Sequence, residues 1–281
     1  MGAPVGTTPR RQLARRLKKL RQRANLTILD VARHLETSIS SLSRIEQAQQ
    51  RLDIHWLREM LDLYQVPVSE WEPYLQLCRQ SRARGWWRDF GLDDRGYVAL
   101  EAGACRVREF SLTAVPGLLQ TAEYARGLFT SAAAPLNEER RERQIEVRMI
   151  RQRRLYLEDD PIELVAVVDE SVLRRPVGGP AVLRDQLEHL VIVAELDTVT
   201  LRVLPTGAGG HPGLDGGTFI VLSFPDPDEP DLTYVEHVSG AIHIERAEEV
   251  ARSRLTFERL CAAALPPAES TQLVERLIAR L

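Results

Sequence analysis

Two short helical segments with a tight break between them constrain this chain more than any other part of its sequence. Thr27 and Ser38 are residue types that cap helix N-termini. Each is followed by apolar residues at helical spacing: Val31, Ala32, Leu35, Leu42 and Ile45. Only Glu36 and Thr37 separate the two segments, so the pattern predicts two helices joined by a tight turn.

Further helices are predicted on both sides of this pair. Apolar residues spaced by four, three and four predict an amphipathic helix from Arg11 to Ala24. A fourth helix should end before Pro67, and the capping-box pattern Ser69–Glu72 should open a fifth. We therefore expect an all-α domain of five helices over residues 11–80, preceded by a disordered lead-in, 1–10.

Charge is distributed unevenly along the chain. Residues 10–58 contain 12 Lys or Arg against 4 Asp or Glu, a balance of +8, whereas the whole chain has a net charge of −3. The remainder therefore has a balance of −11. A basic segment on an acidic body is typical of proteins that bind the phosphate backbone of nucleic acids, although a solvated basic helix would look the same.

The outer face of the third helix is small and polar, with one arginine. A helix with such a face can enter the major groove of DNA without steric obstruction. The residues of this face are Ile39, Ser40, Ser41, Ser43 and Arg44.

The strings Leu29–Leu35 and Ser38–Glu46 resemble the lambda-repressor-like helix-turn-helix family (xenobiotic-response-element type). The resemblance implies that Ile39, Ser40, Ser43 and Arg44 contact bases in double-stranded DNA. It also implies that Thr27 and Ser38 hold phosphates, and that Arg21 and Glu46 form a structural ion pair. Two positions depart from the family: Glu36 and Ala48 stand where it usually has glycine, a residue that adopts a left-handed conformation at little cost.

Beyond a linker at residues 81–100, the sequence predicts a C-terminal α+β domain over 101–281. Helices are expected over 101–111, 137–158, 180–195, 247–264 and 267–281, and residues 115–126 should form a turn followed by a helix. Branched residues predict strands over 163–168, 198–204, 218–224 and 232–238. We expect these strands to form a small, mostly antiparallel sheet.

This half resembles a group of actinobacterial regulators that join the same helix-turn-helix to a C-terminal domain of uncharacterised function. The motifs include Val115–Thr121, Val203–Pro205 and Tyr234–Glu236. The resemblance implies a regulator, in some cases paired with a small protein encoded by an adjacent gene in an antitoxin-like arrangement. It singles out six polar residues that either line a ligand or partner cleft or form a buried network: Arg148, Arg151, Gln152, Asp169, Glu170 and Tyr234.

Nothing in the C-terminal half favours catalysis. The glycine-rich stretch 206–213 lacks the Gly-Lys-Ser/Thr of a phosphate-binding loop, and its histidines have no metal-ligand spacing. Asp169 and Glu170 could act as an acid–base pair, but such residues more often cap the following helix, here expected over 171–175. We expect no enzyme activity, no cofactor and no metal.

Taken together, the sequence predicts a DNA-binding transcription regulator that acts as a homodimer in the cytoplasm, away from membranes. The alternatives are an antitoxin-like partner of a neighbouring gene product, a repressor that responds to a small molecule and, last, an enzyme.

Overall fold

A computed structural model of the chain describes residues 8–82, 85–92, 96–132 and 136–281. It divides into two compact units. Unit 1 comprises residues up to Gly103 together with the segment Asp226–Glu229, and unit 2 comprises Ala104–Pro225 and Pro230–Leu281. Most of the expected lead-in, and parts of the expected linker, lie outside the described residues.

Unit 1 is helical in its described part. Its helices are α1 (Thr8–Arg23), α2 (Ile28–His34), α3 (Ile39–Glu46), α4 (Ile54–Leu63), α5 (Glu72–Arg82) and α6 (Tyr97–Glu101). The apolar faces predicted for the first four helices meet in one core, where Leu17, Val31, Leu42, Leu57 and Leu61 are fully buried. The five predicted helices are present, and α6 is an addition.

Two details of this unit differ from the prediction. The first helix begins at Thr8, inside the expected lead-in. Ser69 does not cap a helix: a short 3-10 helix, Val68–Glu70, precedes α5 and has no side-chain cap. Pro67 excludes the backbone hydrogen bond that would continue α4, and its fixed φ favours this tighter turn.

Four helices of unit 1 end in the same way, with a residue in the left-handed conformation that is not glycine. These residues are Asn25, Glu36, Ala48 and Gln65, with φ between 48° and 58°. In each case the next N–H donates to the carbonyl five residues back, as Thr37 does to Ala32 at 2.9 Å. This hydrogen bond closes the helix and turns the chain sharply.

Unit 2 contains one mixed six-stranded sheet in the order β3-β2-β1-β4-β5-β6. The strands are β1 (Arg106–Ser111), β2 (Glu163–Asp169), β3 (Val199–Leu204), β4 (Phe219–Ser223), β5 (Leu232–His237) and β6 (Gly240–Ile244). Three of the five pairings are antiparallel, whereas β1–β2 and β2–β3 are parallel. The α+β class is confirmed, and the sheet is larger and more mixed than expected.

The helices of unit 2 lie on both faces of this sheet. They are α7 (Ala122–Thr130), α8 (Glu138–Gln152), α9 (Pro180–Val193), α10 (Gly213–Gly216), α11 (Ala247–Ala263) and α12 (Pro267–Ile278). On one face, Phe257 and Leu260 of α11 pack against Phe110, Val167 and Val221. The opposite face carries Val107 and Glu109, which alternate with Phe110 along β1.

The largest error of the sequence analysis concerns β1. Residues 101–111 were expected to be helical, but α6 ends at Glu101 and Arg106–Ser111 form a central strand. This strand carries Arg106, Arg108 and Glu109, and charged residues are rare in central strands.

Three smaller differences concern other elements of unit 2. β6 was also missed, because it is short and largely exposed. The long helix expected over 137–158 ends at Gln152, where a 3-10 turn, Arg153–Tyr156, continues it. The glycine-rich stretch contains a 3-10 turn, Thr206–Ala208, and the start of α10 rather than only a loop.

Candidate nucleic-acid interface

The third helix has one buried face and one exposed face. Leu42 and Ile45 point into the core of unit 1, and both are at most 2% exposed. On the opposite side Ile39 is half exposed, and Ser40 and Arg44 are exposed as well. Three of the residues predicted to contact DNA are therefore offered to solvent, whereas Ser41 and Ser43 are half-buried.

Hydrogen bonds hold most of the polar groups on this face. Arg44 Nε donates to the carbonyl of Ser40 at 3.3 Å. The two Nη atoms of the guanidinium take no part in that hydrogen bond. The Gln47 amide donates to Ser43 Oγ at 2.9 Å, and the Gln50 amide donates to Ser41 Oγ at 3.1 Å. These contacts fix the hydroxyls in position before any ligand binds.

The N-termini of α2 and α3 differ in charge. At α2, Thr27 and Asp30 form a capping box in which Asp30 accepts the Thr27 N–H at 2.8 Å and Thr27 Oγ1 accepts the Asp30 N–H at 3.2 Å. Hydrogen bonds that the Thr27 hydroxyl and the Thr27 N–H donate to its carboxylate lower the pKa of Asp30, so a negative charge already occupies this end. At α3, Ser38 Oγ accepts the Ser41 N–H at 3.0 Å, and no acidic residue lies in the first turn. Of the two, α3 therefore presents the more favourable site for a phosphate.

A buried ion pair joins α1 to α3. Arg21 Nε and Nη2 donate to the two carboxylate oxygens of Glu46 at 2.6 and 2.9 Å, and Nη1 donates to the carbonyl of Leu26 at 2.8 Å. This bidentate contact raises the pKa of Arg21. The pair lies on the inner side of α3, where it orients the helix and cannot contact a base.

The basic face of α1 is paired within unit 1. Four of its cations lie next to the acidic residues of the segment Asp226–Glu229. Glu229 contacts Arg11 at 2.8 Å and Arg15 at 3.1 Å, Asp226 contacts Arg16 at 3.3 Å, and Asp228 contacts Lys19 at 2.7 Å. The Glu229 side chain is fully buried, and this burial raises the pKa of its carboxyl group. Four of the twelve Lys and Arg residues counted in residues 10–58 are thus paired with acidic residues of the same unit.

The polar residues predicted in the C-terminal half fall into two groups. Three lie beside a short 3-10 helix, Gly117–Leu119: Arg148, Arg151 and Gln152. Tyr234 lines the same cavity as Gly117. Gln152 Nε2 donates to the carbonyls of Gly117 and Gln120, at 3.1 and 2.7 Å. A β-carbon at position 117 would lie 3.5 Å from Nη2 of Arg151, an ordinary contact distance, so this guanidinium lies directly beside the 3-10 helix.

Asp169 and Glu170 have other roles, at the carboxyl end of β2. Asp169 caps the 3-10 helix Glu170–Arg174 by accepting the Ser171 N–H at 2.9 Å. Glu170 is buried, accepts the Thr206 N–H at 2.9 Å and pairs with Arg174. These contacts fix local chain geometry.

A cavity of about 250 Å³ lies beside this 3-10 helix within unit 2. Arg148 and Tyr234, both predicted, line it together with Glu109, Gln120 and Phe129, which the sequence analysis did not single out. Glu109 escaped notice because β1 was expected to be helical. Gln120 lies inside the motif Val115–Thr121, where its Nε2 donates to the carbonyl of Val115 at 2.6 Å.

Among the described residues, no three His, Cys, Asp or Glu side chains converge as metal ligands would. No helix in this part of the chain combines the length and apolar character that spanning a membrane requires.

Two known families match successive parts of the chain. Residues 12–73 match the family described as Helix-turn-helix domain, which places the N-terminal part among DNA-binding modules of transcription regulators. Residues 94–276 match the family described as Domain of unknown function (DUF5753). The second match covers more than half of the chain, and the protein belongs to that family. No curated protein and no solved structure matches the chain.

Proposed function

We propose that the protein is a sequence-specific transcription regulator that places α3 in the major groove of double-stranded DNA. The observation that carries this proposal is the exposed, small and polar face of α3 on a helix whose other face is fully buried. Arg44 is the donor on this face that can bond a guanine at two points, a contact that contributes about 1–3 kcal/mol of discrimination. Ser38, at the N-terminus of α3, contacts a phosphate and fixes the helix in register.

Fluorescence anisotropy tests this proposal, with duplexes tiled across the gene's upstream region at several salt concentrations. One duplex should bind well above the others, and Arg44→Ala should remove that preference while weak, salt-sensitive binding remains. Arg58→Ala is the matched control, because it removes the same charge from an exposed position on α4. If both variants lose affinity equally for all duplexes, Arg44 acts only as a phosphate contact and α3 does not recognise bases through it.

The proposal includes a homodimer. One module of this size buries little surface on DNA, and two modules on half-sites about one helical turn apart gain affinity together. Light scattering of the full chain should give twice the monomer mass, and the preferred duplex should contain an inverted repeat. A monomer that binds a single half-site with the same affinity would contradict this arrangement.

Unit 2 then receives the regulatory signal, either a small ligand or a small protein encoded by an adjacent gene. Co-expression with that neighbouring product followed by size-exclusion chromatography tests the protein partner. A stable complex with altered DNA affinity supports control by a partner, and separate elution counts against it.

A further inference from the structure

The two edges of the six-stranded sheet end differently. At one edge, the chain itself bonds the backbone of β3: the Val203 N–H donates to Ser270 Oγ at 2.9 Å, and the Val203 carbonyl accepts the Leu265 N–H at 2.9 Å. At the other edge, β6 pairs with β5 and has no second neighbour among the described strands. The outer side of β6 therefore offers backbone groups to a further strand.

The residues of β6 do not protect this edge. Edge strands that avoid pairing with other chains commonly carry a charged residue, a proline or a bulge. β6, Gly240–Ile244, contains no Lys, Arg, Asp, Glu or Pro, and its register with β5 is unbroken over all 5 residues. Ile242, at its centre, is 49% exposed. The edge thus combines a regular backbone with an exposed apolar side chain.

The turn between β5 and β6 determines which backbone groups of β6 point outward. Residues 238–239 form this turn, between the paired His237 and Gly240. In a hairpin with a two-residue loop the closing pair exchanges hydrogen bonds, and every second pair along an antiparallel ladder does the same. The N–H and C=O groups of Ala241 and His243 therefore point away from β5.

From this geometry we propose that β6 pairs with β6 of a second copy of the chain, antiparallel and about a two-fold axis at Ile242. In this register the whole of β6 overlaps with its copy, Ala241 of each chain exchanges hydrogen bonds with His243 of the other, and the two sheets become one. This pairing is the contact of the DNA-binding dimer. That last statement rests on the proposed function, whereas the pairing itself does not.

The apolar face of β6 matches itself under this symmetry. Ile242 lies opposite Val235 in the register, and Val235 packs against the core beneath α11. Side chains in one such row point to the same face of a sheet. In the joined sheet, Ile242 of one copy therefore lies between Val235 of its own chain and Ile242 of the other, so that the apolar row runs without interruption from one core to the next.

The polar face of β6 is also complementary to itself. Ala241 lies opposite Glu236 in the register of β5 and β6. In the joined sheet Ala241 also lies opposite His243 of the second copy. Because Ala241 is small, it leaves space for the carboxylate of Glu236 to approach this imidazole, and the row brings no like charges together.

The short overlap limits the strength of the pairing. A contact of this length buries less surface than the roughly 1,600 Å² of a standard interface. We therefore expect a dimer Kd in the micromolar range. A duplex with two half-sites then holds both copies together and raises their effective concentration.

Disulfide trapping tests the register. Position 242 lies beside its own copy in a pair without hydrogen bonds, where Cα atoms are about 4.5 Å apart, and a disulfide spans roughly 4.4–6.8 Å. Ile242→Cys should therefore form a covalent dimer with oxidised glutathione, in a chain that also carries Cys105→Ser and Cys261→Ser and keeps the buried Cys78. Ile244→Cys is the matched control, because its two copies lie about 13 Å apart along the strands. Equal linking by the two variants, or none by Ile242→Cys, would overturn the proposal.

Sedimentation equilibrium of the full chain tests the strength of the pairing. Ile242→Lys places two like charges side by side at the axis and should raise the dimer Kd at least tenfold. Ile192→Lys introduces the same charge at an isoleucine of α9 that is 64% exposed, and should leave the Kd unchanged. Urea unfolding checks that both variants fold. A chain that stays monomeric at all concentrations, or equal effects of the two variants, would contradict pairing through β6.

Anisotropy separates this inference from the proposed function. If Ile242→Lys weakens binding to the inverted repeat at least tenfold and leaves binding to a single half-site unchanged, both hold. If trapping succeeds but the chain has no preferred duplex, the DNA-binding function fails and the pairing remains. If Ile242→Lys still forms a dimer and binds its duplex normally, the function holds and the pairing is wrong. If the chain alone is monomeric but binds the product of the adjacent gene through Ile242, the edge receives that protein and self-pairing is wrong.

Discussion

Replacing Glu36 by glycine tests whether the turn between α2 and α3 is held at an energetic cost. Glu36 has a φ of 48° and its side chain is exposed. The left-handed conformation costs a residue other than glycine roughly 1–2 kcal/mol. Glycine removes that cost but gains freedom in the unfolded chain, which offsets roughly 0.4–1 kcal/mol. We expect Glu36→Gly to raise the free energy of unfolding by about 0.5–1 kcal/mol.

Ala48 provides an internal comparison. Its φ is 57°, but its methyl group is 4% exposed. Removing a buried methyl group costs about 0.8 kcal/mol, so the relief of the backbone and the loss of packing cancel in Ala48→Gly. Glycine introduced in the same backbone conformation should therefore stabilise one turn and leave the other unchanged.

Tryptophan fluorescence makes the measurement specific to one unit. All four tryptophans, Trp56, Trp71, Trp86 and Trp87, belong to unit 1. Urea unfolding should place the midpoint of Glu36→Gly a few tenths of a molar above that of the parent chain. Glu36→Ala removes the same charge and keeps the strained φ, so its midpoint should lie below that of Glu36→Gly. Equal midpoints for these two variants would refute the backbone argument.

Three further predictions concern polar contacts of unit 1. Glu229→Ala should lower the free energy of unfolding by about 3 kcal/mol because it removes a buried carboxylate from beside Arg11 and Arg15. Asp228→Asn, at an exposed ion pair with Lys19, should have a much smaller effect. Equal losses of the two variants in urea unfolding would contradict the buried pairing. Arg21→Lys should lower the free energy of unfolding by about 1–3 kcal/mol, since lysine cannot make the bidentate contact with Glu46. In fluorescence anisotropy this variant should prefer the same duplex as the parent chain. A changed duplex preference would show that Arg21 takes part in DNA recognition. The pKa of Asp30 is lowered on folding, so its contribution to stability is present above its ordinary pKa of 3.8 and is lost as the pH falls through the lower, folded value. Asp30→Asn should therefore lose less stability than the parent between pH 5 and pH 3. If the free energy of unfolding falls equally with pH in both proteins, the Asp30 carboxylate does not contribute in this way.

Local signals in the sequence were sufficient for the helices of unit 1. Thr27 and Ser38 cap α2 and α3 through their side chains, as their residue types predict, and the apolar residues at helical spacing face the core. Glu36 and Ala48 occupy left-handed positions, which is where the resemblance places glycine. Each of these features depends on a few neighbouring residues.

The features that the sequence analysis missed depend on contacts between distant parts of the chain. Glu109 lies in a central strand, but its buried position follows from pairing with β2 and β4, which are more than 50 residues away. In the sequence, the acidic segment 226–229 resembles an ordinary solvated loop, and only the structure shows its ion pairs with α1. The candidate base-contacting face could therefore be predicted from the local sequence pattern, whereas the cavity could be predicted only from knowledge of how the strands pair in the sheet.

The position of residues 226–229 has a consequence for how such proteins can be taken apart or recombined. They belong to unit 1, yet the chain on either side of them belongs to unit 2, so no single cut releases both units whole. A fragment ending at Gly103 would expose a set of arginines that the intact protein neutralises, and would bind any polyanion more strongly than its parent does. Apparent DNA binding by the isolated fragment would thus overstate affinity and understate specificity. An exchange of the N-terminal module between two relatives would have to carry this four-residue segment with it.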